Sequence, residues 1–176
     1  IAATLQGITP VLFDVSPHTG TFNYDELERF RDDYDSICLV CPLSCIPDLG
    51  LFDALAKRLN KPLIIDGAAT FGTPGIQQFG DAFCVSFHAT KSFPVGECGA
   101  VVCSRDVADR VREYINFGFD NDRVSMGPGL NAKVSEYTCA IALALLDEIN
   151  GPLEARKRNA AQLKRLLGMK NSLSSS

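Results

Sequence analysis

Short apolar runs alternate along this chain with stretches of helical period. Pro62-Leu63-Ile64-Ile65 and Phe83-Cys84-Val85-Ser86-Phe87 have the length and the β-branched or aromatic content of buried strands. The first ends on Asp66, and the second leads within a few residues to Lys91. Ser36–Cys41, closed by Pro42, and Gly99–Cys103 predict two more strands, and Pro10–Val15 predicts a first one ending near Asp14. Between them, Asp25–Phe30 reads as a helix whose first-turn acids suit the positive end of its dipole. Leu51, Phe52, Leu55, Ala56 and Leu59 mark a second helix at the same period, and Asp106–Tyr114 a third. Gly67–Gly80 and Gly118–Gly129 are rich in turn formers. Ser135–Ile149 predicts a long helix broken by Gly151-Pro152, and Leu153–Leu167 a basic amphipathic helix whose charges read as a solvated face.

Strands alternating with helices imply an α/β architecture, three layers α/β/α with a mainly parallel sheet. In such sheets ligands bind beyond the carboxyl ends of the strands. Asp66 and Lys91 are both delivered to that edge, an acid and an amine. Pyridoxal phosphate needs such a pair, an amine to hold its aldehyde and a carboxylate to keep its pyridine nitrogen protonated. Taken singly the residues are ordinary. A lone lysine is usually a surface charge, and an aspartate after a strand is usually a turn or helix cap.

Composition narrows the classes. The chain has 176 residues, 46% of them hydrophobic and 22% charged, enough apolar content for one core. A net charge of −4 argues against non-specific nucleic-acid binding. No apolar run approaches the ~20 residues a membrane helix needs. The opening Ile1-Ala2-Ala3-Thr4 reads as a cut end rather than a signal peptide. Seven cysteines, an odd number without a secretory leader, read as free thiols in a reducing cytoplasm. Cys38, Cys41 and Cys45 cluster, but no fourth ligand lies nearby and Cys38 falls inside a strand, so no metal is expected. A nicotinamide fold would need Gly-x-Gly-x-x-Gly after the first strand, and the chain has none there.

Four blocks in order, Asp66-Gly67-Ala68-Ala69, Ser86-Phe87-His88-Ala89-Thr90-Lys91, Gly96-Glu97-Cys98-Gly99 and Gly129-Leu130-Asn131-Ala132-Lys133-Val134-Ser135-Glu136-Tyr137, resemble the DegT/DnrJ/EryC1/StrS sugar aminotransferases. The resemblance runs from Ile1 to about Arg158. It implies the central part of the large domain of a pyridoxal-phosphate enzyme of fold type I, similar to aspartate aminotransferase. It implies Lys91 as the Schiff-base lysine and Asp66 as partner of the pyridine nitrogen, the catalytic pair. Ala68, Ser86 and His88 complete the cofactor-binding set, Ser86 at the phosphate and His88 in a packing role. Asn131 is implied to reach the phosphate in the neighbouring subunit, which gives a homodimer with shared active sites. The substrates implied are an amino-acid donor, glutamate in typical members, and a nucleotide-linked keto sugar, with no nucleic acid and no membrane as partner.

The same resemblance divides the chain into a large domain over 1–150, incomplete at its start, a helix over 151–170 leading toward a small domain, and a disordered tail over 171–176. A Gly-Ser or Gly-Thr phosphate turn and a ring-stacking aromatic are expected before Ile1. Two departures stand out: Ala69 where the family usually carries a polar side chain, and Cys98 where it usually has glycine, a concern if that position needs positive φ. Two competitors remain, a sugar dehydratase of the same family, in which histidine usually replaces the lysine, and a remnant that keeps the fold without turnover. Apolar surface left open by a partial fold predicts an oligomer in solution.

Overall fold

The computed structural model describes residues 2–17 and 20–168, so the tail expected over 171–176 and the last two residues of the expected helix over 151–170 lie outside the described residues. Four strands form one sheet in the order β1 (Ile37–Val40), β2 (Leu63–Asp66), β3 (Ala82–Ser86), β4 (Gly99–Cys103). The first three run parallel, and β4 returns antiparallel along β3. Alternation along each strand sorts the side chains by face. Leu39, Ile65, Phe83 and Val102 share one register line, and Ile37 and Leu63 lie on the same face. Cys38, Val40, Ile64, Asp66 and Cys84 point the other way.

The first face makes the core. Helix α3 (Leu49–Leu59) packs Leu49, Phe52, Leu55 and Ala56 into one buried cluster with Ile37, Leu39, Leu63, Ile65 and Phe83. Each of the larger side chains among them contributes ~1.5–3 kcal/mol on leaving water. The Asp48 carboxylate caps α3 by accepting from the Leu51 N–H at 3.0 Å. Asn60, at φ 54°, ends it in the left-handed conformation that asparagine tolerates. Helix α2 (Tyr24–Arg29) adds Leu27 to the core, and its Glu28 pairs with Arg58 of α3. On the opposite face of β1 and β2, Val40 and Ile64 remain exposed.

Helix α4 (Arg105–Ile115) follows β4 and contacts it. Two bridges, Asn116 to Asn131 and Phe119 to Ser125, shape the turn-rich stretch that leads to α5 (Glu136–Asp147). The Ser135 side chain caps α5 by accepting from Thr138 N–H at 3.1 Å. The expected break at Gly151-Pro152 falls earlier: α5 stops at Asp147 and α6 (Asn150–Leu166) already contains both residues. Proline is harmless in a first turn, where its lost N–H would have had no partner within the helix. The expected strand Pro10–Val15 is also corrected. Among the described residues it pairs through one bridge, Val15 to Phe22, while Val11 and Leu12 stay exposed, and a proline at its head removes a ladder donor. Residues 2–5 form a single helical turn, α1.

Candidate cofactor site at the carboxyl edge of the sheet

Two neighbouring parallel strands, β2 and β3, end at the same edge. Asp66 is the last residue of β2 and pairs in register with Cys84, which places Ser86 two residues further along β3 on the same face. Both residues turn away from the core because their neighbours Ile65 and Val85 face it. Asp66 Oδ1 accepts from the Ala68 N–H at 3.0 Å, an Asx-type turn that aims the carboxylate back over the strand end. Its other oxygen has no hydrogen-bond partner among the described residues. The Ser86 hydroxyl accepts from the His88 N–H at 3.3 Å, which leaves its own proton to donate.

Lys91 lies in the loop from β3 to β4, where its N–H closes a turn on the His88 carbonyl at 2.8 Å. The residue is half-buried, and among the described residues its amine makes no hydrogen bond or ion pair. What holds this loop against the loop after Asp66 is a cluster of three rings. Phe71 stacks on Phe93 with centroids 4.8 Å apart, and Phe87 meets both edge-on at 5.5 and 5.2 Å. The Ser92 hydroxyl, next to Lys91, donates to the Phe71 carbonyl at 3.1 Å. Thr70 locks its own loop by donating to the Gly67 carbonyl at 2.8 Å and is fully buried. Gly67 is required there, since a Cβ would overlap the Phe83 ring.

Five of the six residues expected at the site, Asp66, Ala68, Ser86, His88 and Lys91, therefore gather on these two joined loops and strand ends. The sixth, Asn131, stands on the separate segment after α4. It is exposed, bridges to Asn116, and accepts from Lys133 Nζ at 2.8 Å. Phe71, Phe93, Ser92 and Thr70 were not singled out from the sequence. The signal available was the recurrence of phenylalanine at 71, 87 and 93 around the two motif blocks. The concern over Cys98 is resolved: it is not at positive φ, and the left-handed position of the loop is Gly96 at 130°.

Electrostatics on the open face centre on Asp66. Burial first, and then the Asp66 carboxylate, push the Cys38, Cys41 and Cys84 thiols up, which keeps them protonated and poorly nucleophilic. Cys41 is buried in the core while Cys38 faces the opposite side of the sheet. Two cavities of the chain, about 300 and 320 Å³, lie elsewhere, one beside α4 lined by Arg112, Asn116 and Lys133, the other at the amino end of the sheet lined by Lys57, Lys61 and Asp81. Neither is lined by Asp66 or Lys91.

The donor set suits pyridoxal phosphate: a half-buried lysine whose amine makes no hydrogen bond or ion pair among the described residues, a carboxylate with one oxygen left open among them, and a hydroxyl with a proton to give, all on the strand ends and loops of one edge. Comparison with known proteins agrees. A Mycobacterium tuberculosis protein is 36% identical over 140 residues, covering 75% of this chain and 34% of its own length. The dTDP-4-amino-4,6-dideoxy-D-glucose transaminase of Shigella dysenteriae is 29% identical, covering 86% and 43%. Among solved structures, that of DesI with its TDP-sugar product superposes with a TM-score of 0.80 at 32% identity, covering 91% of this chain and 42% of that one. A Bacillus cereus protein solved as a candidate PLP-dependent aminotransferase gives 0.83 at 28%, covering 98% and 49%. The chain thus spans about a third to a half of the length of these relatives. The DegT/DnrJ/EryC1/StrS aminotransferase profile matches residues 1–174, and the chain belongs to that family.

Proposed function

We propose that this chain carries the catalytic edge of a transaminase that moves an amino group from an amino acid, glutamate in the first instance, to a keto sugar carried on a nucleotide. The observation that carries the reading is that Lys91, whose amine makes no hydrogen bond or ion pair among the described residues, and Asp66, with one carboxylate oxygen open, stand on two loops that the phenylalanine cluster and the Ser92 hydroxyl join. Pyridoxal phosphate, when bound, supplies an electron sink for the charge left on an amino acid's α-carbon. Lys91 would hold the cofactor through its amine, and with that amine free it would carry a proton to and from the α-carbon. Asp66 holds a proton at the ring nitrogen, and in a water-poor site that charge pair is worth far more than in solvent. Ser86, whose hydroxyl accepts from the His88 N–H and so keeps its own proton to give, would donate it to the phosphate. His88 and Ala68 keep the turn that presents Lys91 and the turn that aims Asp66.

The nucleotide-sugar substrate is supported by the relatives' own names, among them the GDP-perosamine synthase of Caulobacter vibrioides. A homodimer is part of the reading, with Asn131 of one protomer completing the phosphate site of its partner. Its support is that Asn131 is exposed and that the partners described for it, Asn116 and Lys133, lie on the segments flanking α4 and α5 and not on β2 or β3. A cytoplasmic setting is supported by seven free cysteines, and no helix among the described residues is long and apolar enough to cross a membrane.

The test is to add pyridoxal phosphate to the protein, reduce with borohydride and map the label by mass spectrometry. Label on Lys91, lost in Lys91→Arg, is the expected result. A folded, dimeric chain that takes up no label at Lys91 would overturn the reading in favour of a remnant without turnover.

A further inference from the structure

The loop that carries Lys91 is spanned by one imidazole. His88 Nδ1 accepts from the Thr90 backbone N–H at 3.3 Å and lies 2.9 Å from the Thr90 hydroxyl. Its Nε2 lies 3.3 Å from Glu97 Oε1 at the far end of the loop. These partners decide where the ring proton sits. A backbone N–H can only donate, so the ring that accepts from Thr90 has Nδ1 bare and carries its proton on Nε2, the side that faces Glu97. The backbone of His88 joins the same assembly, its N–H on the Ser86 hydroxyl and its carbonyl under the Lys91 N–H. One residue thus touches the proposed phosphate ligand, the residue before the lysine, the lysine's own peptide and the glutamate that closes the loop.

We propose that His88 is a positioning residue for Lys91, with Glu97 fixing the tautomer that lets bare Nδ1 hold Thr90 in place. This rests on the proposed cofactor role of Lys91. The Glu97 contact is solvent-exposed, with 90% of its side chain accessible, so its contribution to stability is small. Its effect is orientational. Without an acceptor on the Nε2 side the ring is free to turn over, Thr90 loses its acceptor, and the turn that presents the lysine loosens.

The two ring nitrogens can be replaced separately. Asparagine at 88 places a side-chain oxygen near the Nδ1 position, while glutamine places an amide nitrogen near the Nε2 position. The experiment measures the rate at which pyridoxal phosphate becomes trapped on Lys91 by borohydride in the full chain carrying His88→Asn, His88→Gln, Glu97→Gln or Glu97→Ala. Losing one net hydrogen bond corresponds to about fivefold in rate. His88→Asn is therefore expected to label about fivefold faster than His88→Gln, and Glu97→Gln, which keeps an acceptor oxygen, faster than Glu97→Ala. A purely structural role would instead lower the melting temperatures in the same order as the rates; equal melting temperatures with unequal rates support positioning.

Nitrogen-15 spectra of the His88 ring give an independent reading, with the proton expected on Nε2 and moving to a tautomer mixture in Glu97→Ala. Equal labelling in His88→Asn and His88→Gln, or a proton found on Nδ1, overturns the proposal while leaving Lys91 as the cofactor lysine. No label in the unaltered chain overturns the cofactor reading itself and this proposal with it.

Discussion

The two halves of this chain are built to different degrees of closure. From α2 to β3, thirteen hydrophobic residues are buried or nearly so once Phe93 is counted, and Leu39 and Ile65 have no exposed surface at all. From α4 to α6 no helix buries a single residue. The contrast is sharpest in α5, whose sequence Glu136–Asp147 is almost wholly apolar yet leaves Tyr137, Ile141, Leu143 and Leu146 exposed. A helix that is apolar all round belongs in an interior. The first half therefore carries its own stability, and the second presents surface suited to burial against further protein. Asp66, Ser86 and Lys91 all hang from the self-sufficient half, whereas Asn131, proposed to complete the site of a neighbouring subunit, belongs to the open one.

Substitutions can break this contrast, beginning with the core. Phe83→Ala should cost about 3–5 kcal/mol in urea unfolding, since it empties the centre of the buried cluster. A loss below about 1 kcal/mol would mean that the first half is no better packed than the second. Gly67→Ala is expected to cost about 1–3 kcal/mol, because the new methyl meets the Phe83 ring and the Thr70 hydroxyl and must displace one of them. That variant should also slow trapping at Lys91, as the displaced loop is the one Ser92 and Phe93 lean on.

A subtler measurement uses the thiols beneath the site. The Asp66 charge helps push Cys38 and Cys84 up, so Asp66→Asn should lower both and speed their alkylation at pH 8, with Cys45 as an unaffected exposed reference. The sign for stability follows from linkage. Folded thiols titrate above unfolded ones, so stability is fully present below the ordinary thiol value near ~8.5 and falls as pH rises beyond it. Denaturant midpoints between pH 7 and 10 would show this, and a rise in stability over that range would contradict it. Leu143→Ala, at a position 66% exposed, should change the stability of a single chain by less than about 0.5 kcal/mol. A larger loss that grows with protein concentration would sharpen the comparison, showing α5 buried between chains.

Much of the first half could be read from residue order because its signals were redundant. Pro62 preceding three aliphatic residues and ending on Asp66 marks β2 by composition, by punctuation and by its terminal acid together. Gly99–Cys103 matched its strand residue for residue. Pro10–Val15 has the same apolar look but lacks a neighbouring strand to pair with, and pairing is a property of the sheet rather than of the segment. Gly151-Pro152 was correct as punctuation and wrong as a stop, because a proline opening a helix and one closing it look alike without the turn geometry. The pair proposed for catalysis, Asp66 and Lys91, stood out in the sequence because each member ends or follows a strand. The ring cluster that joins their loops was not, since stacking among Phe71, Phe87 and Phe93 depends on tertiary folding of two segments that share no local period. The His88 network was hidden for a similar reason, as Glu97 becomes its neighbour only when the loop closes.

Because β4 doubles back along β3, with Ser86 opposite Gly99, the lysine rides at the crown of a hairpin whose two legs are zipped together below it. Lengthening or trimming the crown would leave the pairing below it intact but shift Lys91 together with the Ser92, Phe93 and His88 contacts around it. Deleting one residue within a leg would instead rotate every side chain above the cut by half a turn, swinging Ser86 inward and a valine outward. Two different constraints therefore act on this edge: residues 87 to 98 must keep the contacts that hold the loop, and the five positions that precede them must keep their register.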